Sequence, residues 1–279
     1  MKVIFQGPRW SLFIETALSK DLKAITSFFI DQGLSANDAQ KLCGLVLELS
    51  VDSETPLIKL FEGQPTLLNI DKLARKRYLF SGSIQAFRSF YLEYKEQKVA
   101  KALLHFLCHQ YPSFFKDLWP KHGLIPPLGI SFQVIGPEEI KGLDLALRLR
   151  HHYVVTNFVL PEHEALKLFL KHRLEPVFIS PCYQEELPII QPVNEQKPEI
   201  EDVIQHYVDF LKALPSEWAQ GLIPRALAVK GFLFAPLLSY MDIFTKNLSI
   251  EKHPLRQTIK ELFILFRQAF PEPFGLLPE

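Results

Sequence analysis

Proline, more than glycine, sets the boundaries between structural elements in this chain, because its 279 residues include 21 prolines and only 12 glycines. Proline fixes φ and lacks a backbone N–H, so it is tolerated at the first turn of a helix but disrupts the interior of a helix or strand. A shortage of glycine leaves few tight hairpins and few loops that could cradle a phosphate. The sequence therefore predicts elements that are punctuated mainly by proline.

Apolar residues that recur every three or four positions predict helices in both the first and the last third of the chain. The N-terminal helices are expected over 10–33, from Ser35 to Leu49, and over 83–110. Tyr111-Pro112 ends the last of these, because proline disfavours the helical conformation in the residue before it. The C-terminal helices are expected at about 199–214, 216–221, 224–246 and 254–270.

The middle of the chain has a different pattern, in which short runs rich in Val, Phe and Thr alternate with helical segments. The predicted order is strand 130–134, helix 137–151, strand 153–160, helix 161–173 and strand 176–180. Because the helices are long enough to cross over a sheet, this βαβαβ pattern favours parallel pairing of the three strands.

Together these patterns predict a predominantly α-helical fold with a small α/β (βαβαβ-like) middle segment, that is, a helix-dominated α+β protein. The predicted regions are a helical region over 1–127, the α/β segment over 128–181, a proline-rich linker or loop over 182–198 and a helical region over 199–279. The stretch from Ile4 to Pro8 resembles the cleavage site of some expression tags, so no residue from 1 to 8 is a candidate for a functional site.

Charge and cysteine content favour a neutral protein of a reducing compartment. The chain has 31 basic and 31 acidic residues, whereas a strongly nucleic-acid-binding domain is usually basic. Cys43, Cys108 and Cys182 lie far apart and form no CxxC pair, so we expect free thiols and a cytoplasmic location. We also expect no secretory signal.

The most apolar stretch, 222–244, is predicted to be a buried core helix and not a membrane span. It contains Arg225, Lys230 and Asp242 in addition to two prolines. A spanning helix needs about 20 residues with few or no charges. We therefore expect no transmembrane segment.

Two histidines provide the best metal-ligand spacing in the sequence. His105 and His109 are four residues apart on a predicted helix, so both face the same side, and Cys108 lies beside them. A zinc or copper site would need a third ligand, which the sequence does not supply. The alternative is that both imidazoles flank the C-terminal end of the helix, where protonated histidine is favourable.

Other catalytic and cofactor patterns are weak or missing. His163-Glu164 begins like a zinc protease motif, but Lys167 stands where the second histidine is needed. The chain has no GxxxxGK[ST], GxGxxG or GxSxG motif, so no cofactor is predicted. An enzyme remains an alternative hypothesis, with a site assembled from dispersed histidines. The candidates are His105, His109, His151 and His152.

Charge patterning is the feature that indicates partners. Residues 72–101 carry eight Lys or Arg against two Glu, whereas residues 185–209 carry seven acids against one Lys. Such surfaces can steer a partner electrostatically, although both can equally be solvated faces. The candidate partner-binding residues are Arg75, Lys76 and Arg77 in the basic region and Glu199, Glu201 and Asp202 in the acidic region.

The sequence therefore favours a non-enzymatic helical adaptor or accessory subunit that acts through protein–protein contacts. Nucleic-acid binding through the basic region 72–101 is a less favoured alternative, because one short basic cluster is weak support for phosphate contacts.

Overall fold

The fold is given by a computed structural model that describes most of the chain. The described residues are 5–7, 9–13, 21–52, 68–121, 123–172, 174–179, 206, 209–210, 213, 228–248, 256–275 and 277.

Nine strands lie within the described residues, and every pairing among them is antiparallel. The strands are β1 Phe5–Gln6, β2 Trp10–Phe13, β3 Gly44–Val51, β4 Asn69–Ala74, β5 Arg77–Ser83, β6 Ile130–Val134, β7 Tyr153–Pro161, β8 Val177–Phe178 and β9 Ala228–Pro236. They form a five-stranded sheet in the order β1-β2-β7-β9-β8 and a four-stranded sheet in the order β4-β5-β3-β6.

The helices of the described residues cover the faces of these sheets. They are α1 Leu22–Asp31, α2 Ala36–Lys41, α3 Ile84–Tyr94, α4 Lys98–Gln110, α5 Pro112–Phe115, α6 Pro137–Lys141, α7 Leu145–His151, α8 Glu162–Lys171, α9 Leu237–Asn247, α10 Arg256–Ala269 and α11 Pro271–Phe274, with a 3-10 turn at Lys116–Leu118. Proline opens α5, α6 and α11, as the proline content predicts.

Two large apolar clusters hold the sheets and helices together. One lies between the four-stranded sheet, helices α1 to α5 and one face of the five-stranded sheet, and it includes Phe29, Phe80 and Phe232. The other lies on the opposite face of the five-stranded sheet, under α8 to α11, and it includes Phe158 and Phe266. Successive strand residues point to opposite faces, so β7 and β9 contribute side chains to both clusters.

The two sheets approach each other closely at Gly44 and Tyr153. A Cβ atom added to Gly44 would lie 2.1 Å from the carbonyl oxygen of Gly82 and 2.7 Å from the ring of Phe234. The Tyr153 ring is stacked on Phe234 of the same sheet, with 4.6 Å between the ring centroids, and its hydroxyl donates to the Ser81 carbonyl of the other sheet at 3.4 Å. A third, smaller apolar cluster, which includes Val46, Ile140 and Tyr153, lies at this junction.

The predicted helix-dominated fold is wrong, because two antiparallel sheets draw strands from the beginning, middle and end of the chain. The strand predicted at 130–134 is confirmed, and the predicted strand at 153–160 corresponds to β7. However, β6 pairs with β3, whereas β7 pairs with β2 and β9, so the parallel βαβαβ unit does not form.

Several predicted helices are strands for one physical reason. The stretch predicted as a helix over 224–246 contains β9 followed by α9, and the apolar stripe that ends at Leu49 belongs to β3. β3 and β9 are largely buried on both faces, so each reads as an almost continuous apolar run that periodicity cannot separate from a buried helix. The predicted linker 182–198 lies outside the described residues.

Candidate functional site

The strongest polar constellation of the described residues is a Ser–His–Asp array at the junction of the two sheets. Ser81 lies on β5, Asp71 lies on the neighbouring strand β4, and His151 is the last residue of α7. The Ser81 hydroxyl and His151 Nδ1 are 2.6 Å apart, and His151 Nε2 is 2.9 Å from Asp71 Oδ2. Since a carboxylate only accepts, a neutral His151 carries its proton on Nε2 and accepts from the Ser81 hydroxyl at Nδ1.

A second layer of hydrogen bonds surrounds this array. The Asn69 amide donates to the Tyr153 hydroxyl at 2.8 Å and to the backbone oxygen of Arg150 at 2.9 Å. The Arg150 guanidinium lies 2.6 Å from Asp71 Oδ1. Burial raises the pKa of Tyr153 to about 12. The network therefore joins β4 and β5 of one sheet to α7 and to the first residue of β7 in the other.

The surroundings of Ser81 differ from those that a nucleophile requires. Ser81 and His151 are completely buried, so an incoming substrate has no approach to the hydroxyl. Ser81 lies within β5, where it is paired with Val46 of β3 and Asn69 of β4. The backbone N–H groups of this segment belong to strand ladders, so they are not directed at a developing oxyanion. The array therefore fits a contact that fixes α7 against β4 and β5.

His152, which follows His151 in the chain, is a second buried histidine. It is 4% exposed, and its Nδ1 is one of the buried side-chain atoms that lack a hydrogen-bond partner among the described residues. Its ring meets Phe270 edge to face, at 5.2 Å between centroids. Burial, together with the positive charges of Lys141 and Arg148, lowers the pKa of His152 to about 4.

A separate polar cluster connects the end of α8 to α9. His172 Nδ1 is 2.6 Å from Asp242 Oδ2, and the Asn247 amide lies 3.1 Å from His172 Nε2. Lys171 Nζ donates to Asn247 Oδ1 at 2.9 Å. Both ring nitrogens of His172 are thus engaged, which fits a contact that fixes α8 against α9.

His105 and His109 do lie together, with their ring centroids 4.5 Å apart, and both rings contact Trp119. Burial and the neighbouring His109 lower the pKa of His105. Cys108 points elsewhere, since its thiol donates to the Phe115 carbonyl at 3.2 Å. In the described part of the chain, no group of three His, Cys, Asp or Glu is arranged to hold a metal ion.

The three residues of the predicted basic cluster, Arg75, Lys76 and Arg77, have different contacts. The guanidinium of Arg77 makes a bidentate contact with the buried carboxylate of Glu48, and one of its two bonds measures 2.7 Å. That contact lowers the pKa of Glu48. The Lys76 ammonium donates to the backbone oxygen of Asp52, whereas Arg75 is exposed. Glu199, Glu201 and Asp202 lie outside the described residues.

The surface feature that sequence reasoning missed is an apolar loop that leads into β6. Ile125 is 90% exposed and Leu128 is 100% exposed, on either side of Pro126-Pro127. Both ends of the loop are fixed, because Leu124 packs against the large cluster and the Gly129 carbonyl accepts from the Asp52 N–H at 2.9 Å. The signal was present in the sequence, since no residue from Gly123 to Pro137 is charged.

Comparison with known protein families and with curated proteins found no match. Across the described ranges, no helix is both long and apolar enough to cross a membrane.

Proposed function

We propose that the protein is a non-enzymatic accessory subunit or adaptor that acts through protein–protein contacts. The observation that carries this proposal is the loop 124–129, whose two large apolar side chains, Ile125 and Leu128, are almost fully in water. Single exposed apolar residues are ordinary, but here two flank a rigid Pro-Pro segment that is anchored at both ends. An anchored loop loses little conformational entropy when a partner binds.

The experiment is a comparison of proteins that co-purify with the wild type and with Ile125→Asp/Leu128→Asp from cells that express each. Because both side chains are exposed, the double variant should fold normally and lose its partners. A matched control, Leu92→Asp/Ile264→Asp, places the same charge on the exposed residues of α3 and α10. An unchanged set of partners in the loop variant, at wild-type yield, contradicts the proposal.

A cytoplasmic location is part of the same proposal. Cys43 and Cys108 are free thiols, and burial raises the pKa of Cys43 to about 12. Free, partly or fully buried thiols are typical of proteins from a reducing compartment, which supports the proposed location. Fractionation of cells that express the untagged chain tests this location.

A second candidate function, a serine hydrolase, is favoured by the contacts among Ser81, His151 and Asp71 alone. These residues have the chemistry of an acyl-transfer triad, in which the hydroxyl donates to the imidazole and the imidazole donates to the carboxylate. Because Ser81 is completely buried, the hydrolase is less favoured than the accessory subunit. A fluorophosphonate probe tests it with Ser81→Ala as the control: we expect no labelling, and labelling that Ser81→Ala abolishes would establish the enzyme.

A further inference from the structure

The outer edge of β6 presents a regular set of backbone groups that no strand of the described residues pairs with. Ile135 N–H donates to the Val46 carbonyl at 2.8 Å, and Asp52 N–H donates to the Gly129 carbonyl at 2.9 Å. The register pairs Phe132 with Leu49 of β3. Because backbone groups alternate along an antiparallel strand, residues 131 and 133 face β3, whereas Ile130, Phe132 and Val134 direct their N–H and C=O groups outward. Among the described residues, no strand pairs with this side.

Of the sheet edges in the described residues, β6 alone combines length with an uncharged sequence. The edges of the five-stranded sheet, β1 and β8, are two residues long. The other edge of the four-stranded sheet, β4, carries Asp71 and Lys72, and Arg75 follows it. Short strands and charged side chains are the usual means of preventing edge-to-edge pairing. β6 reads Ile-Ser-Phe-Gln-Val and has neither.

We infer that a second copy of the chain pairs with β6, so that two four-stranded sheets join across a twofold axis at Phe132. The outward residues are symmetric about this position, since Ile130 would face Val134 of the second copy and Phe132 would face itself. Each of these three pairs exchanges two backbone hydrogen bonds. The uncharged run from Gly123 to Pro137 brings no like charges together.

The side chains fit the same arrangement. Ile130, Phe132 and Val134 are partly buried against the large cluster, and Phe132 contacts Phe80 and Phe106 at about 6 Å between centroids. Ser131 and Gln133 are exposed on the other face. In the twofold pairing, Ser131 of one copy lies opposite Gln133 of the other, which offers a position for introducing like charges.

Analytical ultracentrifugation of the full chain over a wide concentration range tests the inference. The wild type should form a dimer, and Ser131→Lys/Gln133→Lys should weaken dimerisation by at least about tenfold, because two Lys–Lys pairs then meet across the axis. The weakening should diminish at high salt. The variant should still fold, because the ammonium introduced at position 133 lies beside Glu48, which Gln133 contacts at 3.3 Å.

The matched control, Ser27→Lys/Gln32→Lys, adds the same charges at exposed positions at α1 and its C-terminal end and should dimerise like the wild type. A wild type that stays monomeric at its highest soluble concentration overturns the inference, as does a dimer that the β6 variant leaves unchanged. Either result leaves the proposed function standing if the loop variant still loses its partners. Dimerisation with no loss of partners on changing Ile125 and Leu128 would remove the proposed function alone.

Discussion

The two edge strands of the four-stranded sheet, β4 and β6, have opposite surroundings. At the β4 side, Asn69 and Asp71 are bound into a buried hydrogen-bond network that continues to α7 and β7. At the β6 side, the strand exposes Ser131 and Gln133 and follows a loop with fully exposed apolar residues. The same sheet therefore has one side committed to the intramolecular junction and one side that no strand of the described residues pairs with.

This difference separates residues that stabilise the fold from residues that we propose contact a partner. The Ser–His–Asp array resembles catalytic machinery, but its burial and its contacts among β4, β5 and α7 favour a structural role. On the β6 side, the described residues form no comparable Ser–His–Asp array. The hydrogen-bonding groups and exposed apolar side chains of the β6 side are those of a contact surface.

The largest effect is expected from removing the centre of the junction. His151→Ala leaves a cavity and removes a partner from both the Ser81 hydroxyl and Asp71, so the free energy of unfolding should fall by about 4 kcal/mol. Urea denaturation measures it. His109→Ala, at an exposed histidine, serves as the control and should cost less than about 0.5 kcal/mol. Equal losses in the two variants would show that the junction does not stabilise the fold.

Acid should destabilise the fold through His152. Its pKa is about 4 in the folded protein and about 6.5 when unfolded, so the unfolded state binds the proton between these values. The stabilisation is complete above about pH 6.5 and decreases as the pH falls towards 4, by about 3 kcal/mol in total. Urea denaturation across this range should show the slope, and His152→Phe should reduce it. An identical slope in both proteins would assign the acid sensitivity elsewhere.

The same substitution, serine to alanine, should have different effects at Ser81 in the junction and at Ser131 on β6. Ser81→Ala leaves the buried His151 Nδ1 without its hydrogen bond and should cost about 2 kcal/mol. Ser131→Ala, at an exposed position on β6, should change the free energy of unfolding by less than about 0.5 kcal/mol. Thermal unfolding of the two variants at low concentration gives the difference, and a larger loss for Ser131→Ala would reverse the account of the two sides.

Local sequence signals predicted where some strands and helices lie better than they predicted which strands pair with each other. The bounds predicted for β6 are confirmed, and the helix predicted to begin at Pro137 does begin there, as α6, whereas α11 at Pro271 was not predicted. β3 and β9 were taken for helices because burial on both faces removes the alternation that identifies a strand. The sequence also did not indicate which strands pair, since β2 pairs with β7 across 140 or more residues.

The junction escaped prediction for the same reason. His151 and His152 were noticed as a pair, but Ser81 and Asp71 lie 70 and 80 residues away from His151, and no spacing rule connects them. The β6 strand and the loop before it were easier to notice, because the uncharged run 123–137 is visible in the sequence. Only the fold shows that this run forms the edge of a sheet and that Ile125 and Leu128 lie in water.

Hydrogen exchange at single amides of β6 tests most directly whether its outer side is open. In dilute protein, the amides of Ser131 and Gln133, which face β3, should exchange slowly, whereas the amide of Phe132 should exchange quickly. Raising the protein concentration should slow exchange at Phe132 as the second copy binds. Slow, concentration-independent exchange at Phe132 would mean that the edge is already covered within one chain, which contradicts the account.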